Sequence, residues 1–380
     1  HEIDIINKKG LIWGFLVIWD FIRFAKTKNI MISPGCGALP GSLVAYSLGI
    51  TGINPVQENL LFERYLNEES EPYTYRIEIN VEKGAKALLS DYISEKYGHE
   101  MPKILEMADI QIKECIDLSI IRETMEKIHL NHGISVDIYS IDKGDSAVYE
   151  YFCSEAQNSV FCFDKNDAKK YIPAFDDEED AEDYCSWEGY LVPMILKSKV
   201  LFGAIKPASF DELVAAISLS RDLPEHFIRR YVINQYASEE IEYECAELES
   251  ILSETYGCIL YQEQIMLILQ KMAGFSPEQS NKCRRALSKH ATIKIREYRL
   301  WFINGNPEEK IQGCKANGIP KTAAWDVFER LSVDAGYVFN KAHAICYSQI
   351  LFTMVWLSFY YELEFQEVID KWRRPLCDGE

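Results

Sequence analysis

Residues 75–81 read Tyr-Arg-Ile-Glu-Ile-Asn-Val, an unbroken alternation of apolar and polar side chains. A period of two is the pattern of a half-buried strand, because successive side chains on a strand point to opposite faces. Tyr75, Ile77, Ile79 and Val81 take one face, and Arg76, Glu78 and Asn80 take the other. Carboxylates at i and i+2 on such a strand share a face and can hold a pair of divalent cations. Here that face carries one carboxylate, one amide and one guanidinium, the scaffold of a metal site with half its ligands missing. A second alternation, Asp109–Lys113, places Asp109, Gln111 and Lys113 on one face and leads into a helical pattern over 116–128.

The surrounding chain alternates strand and helix only in its first third. Residues 1–30 read as a helix with Trp13, Leu16, Val17 and Phe21 at helical spacing, and a further helix is expected around 85–97. From Phe210 onward the pattern is helical, over 210–220, 224–235, 246–255, 261–273, 277–288, 291–303, 320–333 and 342–361. Asn304–Pro307 and Asn317–Pro320 read as turns between them. The expected fold is an α/β amino-terminal part followed by a mainly α-helical one, and 380 residues suffice for two domains.

The most apolar run, Leu11–Trp19, is about half of the roughly 20 residues a membrane span needs, and Asp20 closes it, so it is expected to be a buried helix. The opening His1–Ile5 has neither the basic region nor the apolar core of a secretory signal, and no initiator Met, as in a region excised from a longer chain. Eleven cysteines lie singly between Cys36 and Cys377; an odd number without Cys-x-x-Cys spacing points away from a disulfide framework or zinc ribbon. Small buried thiols in a reducing cytoplasm fit that pattern.

A formal charge of −19 argues against broad, non-specific nucleic-acid binding, which needs an excess of Lys and Arg. The charge is unevenly placed, however. Seven of the eight residues 176–183 are acidic, the pattern of a solvated loop or insertion. Residues 282–299 hold Lys282, Arg284, Arg285, Lys289, Lys294, Arg296 and Arg299 against Glu297 alone. By spacing alone these cations form either an exposed helix face or a phosphate-binding surface. The loop Ser33–Ser42 carries Gly35, Gly37 and Gly41, which permit either a tight turn before a helix or the close approach of a ligand to backbone amides.

Seven segments in order resemble the bacterial DNA polymerase III α subunit, the C-family replicative polymerases. Phe15–Phe21 resembles the helix opening the family's palm, Pro34–Tyr46 its glycine loop, and Leu61–Asn67 its next palm motif. Lys206–Ala215, Tyr256–Met266, Arg284–Leu287 and Ala335–Ala344 resemble its fingers. The resemblance implies a palm of the β-nucleotidyltransferase type over 1–130, with the thumb largely deleted near 98–109. A linker or insertion then follows over 131–205, helical fingers over 206–365 and a tail over 366–380. It also implies template-directed DNA synthesis by two Mg²⁺ ions on three aspartates, with DNA and deoxynucleoside triphosphates as partners, in the cytoplasm and away from membranes.

By the resemblance the family's catalytic aspartates fall on Glu78, on Asn80 and on or near Gln111 here, and its Gly-Arg-Gly-Ser pattern is Gly35-Cys36-Gly37-Ala38. Amides are poorer ligands for hard cations than carboxylates, so Mg²⁺ binding and synthesis are expected to be lost or severely weakened. Glu78 and Asp109 would share a single ion if the second strand slipped by two residues. The nucleotide apparatus implied by the resemblance comprises Gly35, Gly37, Gly41, Ser42, Arg64, Arg284, Arg285, Lys289, Asn340, Lys341 and His343. Gln262 and Glu263 would orient this cluster or cap their helix. Three roles follow: an active polymerase chain, an inactive palm-and-fingers module that grips nucleotide, DNA or a replication partner, and a decayed gene product without a selected role.

Overall fold

A computed structural model describes residues 1–67, 76–98, 109–153, 199–221 and 223–377. The acidic run 176–183, Tyr75 and most of the 98–109 link lie outside these residues, as do the side chains of Arg76 and Asp109.

The amino-terminal part opens with α1 (Glu2–Lys8) and α2 (Ile12–Thr27), so the single helix expected over 1–30 is two helices separated at Lys9–Leu11. The short helices α3 (Leu43–Ser47) and α4 (Phe62–Tyr65) follow the glycine loop. The first strand, β1 (Arg76–Glu82), is followed by α5 (Ala85–Tyr97) and β2 (Asp109–Cys115). The strands are parallel, which requires a crossover connection between them, and α5 lies within it. The register pairs Arg76 with Asp109, Glu78 with Gln111 and Asn80 with Lys113. The two-residue slip that would bring Glu78 opposite Asp109 is therefore not what forms.

The alternation explains the placement of the sheet. Ile77, Ile79 and Val81 are buried in one core with Phe15, Ile18, Phe21 and Ile22 of α2 and Leu89 and Ile93 of α5. The opposite edge of β1 is covered by residues 31–33. Ser33 N–H donates to Asn80 O at 2.9 Å, and Glu82 N–H donates to Met31 O at 3.0 Å.

The remainder is helical: α6 (Ile116–His132), α7 (Ser146–Cys153), α8 (Lys199–Ile205), α9 (Phe210–Leu219), α10 (Glu225–Tyr236), α11 (Ala246–Leu252), α12 (Gln262–Ala273), α13 (Pro277–Ser288), α14 (Thr292–Asn304), α15 (Lys321–Asp334), α16 (Lys341–Tyr360) and α17 (Glu362–Cys377). Several starts are written in the sequence as side-chain caps. The Ser209 hydroxyl accepts from Glu212 N–H at α9, and Ser276 and Gln279 form a reciprocal capping box at α13, with Pro277 at its first turn.

Two apolar cores fill this part. One gathers α11 to α15 around Leu269, Phe302 and Phe328. The other joins α6 and α7 to α9, α16 and α17 through Ile121, Phe202, Phe352 and Phe365. The stretch expected to be a tail from residue 366 is thus largely a helix: α17 packs on α6 and buries Val368 and Ile369. By length and composition α16 could span a membrane, but 78% of its apolar window is buried, as in a core helix.

Candidate nucleotide and metal site

The polar face of the sheet carries Glu78, Asn80, Gln111 and Lys113. Glu78 is held from two sides. Lys113 Nζ lies 3.4 Å from its Oε1, and Cys36 Sγ donates to its Oε2 at 3.2 Å. The two charged side chains are only 21% and 11% exposed for Lys113 and Glu78, so their attraction is less screened than that of a surface pair. Burial, followed by the charge of Glu78, pushes the Cys36 thiol well above the usual range, so Cys36 is a neutral donor here. Asn80 is buried, with its Oδ1 lacking a hydrogen-bond partner among the described residues.

The glycine loop brings the helical part onto this face. Gly37 N–H donates to His343 Nδ1 at 3.0 Å, which leaves Nε2 to carry the imidazole proton. Burial, reinforced by Arg221, Arg64 and Lys113, lowers the His343 pKa to about 3 and keeps the ring neutral. Close packing explains two of the glycines. A Cβ at Gly35 would lie 2.5 Å from Pro40 Cγ and 3.1 Å from Cys346 Sγ of α16, and one at Gly41 would lie 2.9 Å from Leu61 O. The Ser42 hydroxyl accepts from Ala45 N–H and donates to Glu2 Oε2 at 2.8 Å. Gly41 and Ser42 therefore seat the loop on its own scaffold, whereas Gly35 and Gly37 face α16 and the sheet.

A second group forms where α4 meets α12 and α13. Arg64 Nε donates to Gln262 Oε1 at 2.5 Å. Arg284 donates through Nε and Nη2 to Asn281 Oδ1, at 3.0 and 2.9 Å, and Asn281 in turn donates to Glu63 O at 3.0 Å. Arg284 is buried, and its pKa is lowered to about 9 by burial, then by Arg64 and Arg285, with Glu263 opposing. Burial also lowers the pKa of Arg64, with Glu263 opposing and Arg285 assisting. Glu263, itself buried, accepts from Lys341 N–H at 3.0 Å. Half-buried Arg64 and buried Arg284 thus act on one another with Glu263 as the opposing carboxylate among the described residues, an arrangement that favours an anion.

The remaining predicted residues take other places. Lys341 Nζ is bound to both oxygens of Glu254, at 3.0 and 2.9 Å, and the Asn340 side chain caps α16. Arg285 and Lys289 are exposed. With Lys282, Lys294, Thr292 and Tyr298 they line an open groove of about 750 Å³. Lys113, Asn281 and Glu254 carry site contacts that residue types alone did not assign. For Lys113 the signal was present, since it sits two residues after Gln111 on an alternating strand.

The donor set of the sheet does not fit Mg²⁺. Among the described side chains it offers Glu78, already paired with the Lys113 ammonium, Glu82, already paired with Arg122, and neutral amides, where a hard cation takes several anionic or carbonyl oxygens. Among the described residues no group of three or more His, Cys, Asp or Glu side chains could hold a metal ion.

A βαβ element whose polar face meets the amino terminus of a buried helix, beside a cationic cluster, is an arrangement suited to nucleotide chemistry. Residues 1–133 match the family model of the bacterial DNA polymerase III alpha NTPase domain, and residues 117–178 and 197–310 match that of the alpha subunit finger domain. The finger match is interrupted across most of the acidic run. The chain belongs to the bacterial DNA polymerase III alpha subunit family.

Among curated proteins it is similar to DNA polymerase III subunit alpha of Staphylococcus epidermidis and of Staphylococcus aureus strain NCTC 8325, each 28% identical over 454 residues. These matches take in 95% of this chain and 41% of the relatives' length. The matched span is longer than the 380-residue chain, so the relatives carry additional residues within it.

Proposed function

We propose that this chain is a palm-and-fingers portion of a DNA polymerase III α-like replication protein that binds nucleotide and DNA while its own synthesis is lost or severely weakened. The observation that carries this reading is the pairing of half-buried Arg64 with buried Arg284, with Glu263 as the nearby carboxylate. Such a pair leaves positive charge uncompensated inside the protein, and a triphosphate supplies the missing anion. The sheet belongs, in this reading, to a β-nucleotidyltransferase palm whose Mg²⁺ ligands have been replaced. The family's role, template-directed DNA synthesis, is carried over as ancestry, with DNA, deoxynucleoside triphosphates and a partner replication protein in the cytoplasm as the expected context.

The groove lined by Lys282, Arg285, Lys289 and Lys294 favours a second contact, with the phosphates of a nucleic-acid strand. Equilibrium binding of an equimolar mixture of the four deoxynucleoside triphosphates in EDTA tests the proposal. Binding is expected to weaken about tenfold or more in Arg64→Met and Arg284→Met, a loss of ~1.4 kcal/mol or greater. Replacing Lys282, Lys289 and Lys294 together should leave nucleotide affinity unchanged while reducing the salt dependence of single-stranded DNA binding. The reading is overturned if millimolar nucleotide binds neither in EDTA nor in Mg²⁺.

A further inference from the structure

We infer that Arg221 is a positioning residue for His343: its guanidinium seats Phe339, and Phe339 fixes the orientation of the His343 ring. The consequence for ligand affinity rests on the nucleotide-binding reading, whereas the effect on the His343 ring is measurable without nucleotide.

The surroundings of Arg221 carry it. Arg221 follows α9, and its Nε donates at 3.3 Å to Ser218 O in the last turn of that helix, where carbonyls lack intrahelical partners. Its Nη2 donates to Tyr337 O at 2.7 Å. The same guanidinium lies over the Phe339 ring, 4.4 Å from its centre. Phe339 in turn touches both branches of the site. Its backbone is tied to the start of α12, since Phe339 N–H donates to Leu260 O and Gln262 N–H donates to Phe339 O, each at 2.8 Å. Gln262 is the residue whose side chain accepts from Arg64. On the other branch, the Phe339 ring meets the His343 ring edge-on, with centres 5.2 Å apart, and His343 Nδ1 accepts from Gly37 N–H of the glycine loop.

The chemistry of the guanidinium explains why an arginine serves here. It donates hydrogen bonds within its plane while its flat face packs on an aromatic ring, so one side chain holds two carbonyls and a phenyl ring together. An ammonium carries the same charge without that plane. His343 is flanked by Phe339 on one side and by Tyr347, one turn along α16, at 4.9 Å between ring centres. The Gly37 amide then selects which ring nitrogen accepts. Without Arg221 the Phe339 ring loses the cation that seats it, the imidazole gains freedom to turn, and its Nε2–H donor is no longer held in one place.

Nitrogen NMR of the histidine rings and a double-mutant cycle test this together. In the free wild-type protein the His343 ring, assigned by its loss in His343→Gln, should show one neutral tautomer with the proton on Nε2. Arg221→Met should draw its two ring-nitrogen shifts together as the ring samples both tautomers, and Arg221→Lys should do the same despite its charge. If Arg221→Met does not fold, Phe339→Leu gives the same readout. Affinity for the mixed deoxynucleoside triphosphates in EDTA should fall about tenfold in Arg221→Met. The double variant Arg221→Met/His343→Gln should bind no more weakly than His343→Gln alone, because Arg221 acts through that ring. The inference is overturned if the His343 ring signals are unchanged in Arg221→Met or Phe339→Leu, or if Arg221→Lys keeps the wild-type signals and affinity. Losses that simply add in the double variant overturn it as well. Ring changes in a protein that binds no nucleotide would uphold the positioning of His343 by Arg221 and sink the nucleotide-binding reading.

Discussion

Burial moves the pKa values of His343 and Asp117 in opposite directions, in each case toward the neutral form. A backbone amide donates to His343 Nδ1, and burial among cations holds its pKa near 3, so the ring stays neutral. Because that value lies below the unfolded one of 6.5, His343 favours folding above about pH 6.5, and its contribution is lost as pH falls toward 3. Asp117, 3% exposed in the first turn of α6, has its pKa raised to about 6 by burial, with Cys115 opposing. A carboxyl raised in the folded state works the other way, since stability falls as pH rises from the unfolded value of 3.8 through about 6. Asp117→Asn should therefore stabilise the protein by ~1–3 kcal/mol at pH 7.5 and much less at pH 5, measured by urea unfolding. Destabilisation at pH 7.5 would show instead that the ionised carboxylate supports the helix amino terminus. Neither behaviour was legible in the sequence, where both residues are ordinary members of helical patterns.

At the scale of elements the sequence is most informative where periodicity is strong. The alternation of residues 75–81 predicted a strand with Glu78 and Asn80 on one face, and β1 has that arrangement over its described residues. The helices expected over 85–97 and 277–288 coincide with α5 and α13. The pairing register was not legible, because it depends on how α5 and the link after it return the chain. The role of α17 was also missed, since its burial of Phe365, Val368 and Ile369 depends on α6, which lies far away in sequence. The glycine loop carried two open readings, and close packing accounts for Gly35 and Gly41. Gly35 and Gly37 face α16 and the sheet, while Gly41 is pressed against Leu61 O. Gly41→Ala should cost ~1–3 kcal/mol of stability, because its new Cβ meets backbone rather than a flexible side chain. A thermal midpoint unchanged by that substitution would contradict the packing described for the loop.

Over the whole molecule, charge is unevenly distributed. The chain carries a net charge of −19, yet positive side chains gather at the Arg64–Arg284 pair and along the groove of α13 and α14. The family was legible because seven short segments occur in order, and the family models cover the greater part of the chain. The geometry of the site was less so: residue types showed amides at Asn80 and Gln111, but only the folded register set Lys113 beside Glu78. The central claim is that this DNA polymerase III α-family chain binds nucleotide through its arginine pair while its sheet lacks the ligands for the metals of synthesis. Single-turnover primer extension, with protein in excess over primer–template and all four deoxynucleoside triphosphates in Mg²⁺ and then Mn²⁺, tests it most directly. The expected result is no extension beyond that of Glu78→Gln; extension by wild-type protein that Glu78→Gln abolishes would contradict it.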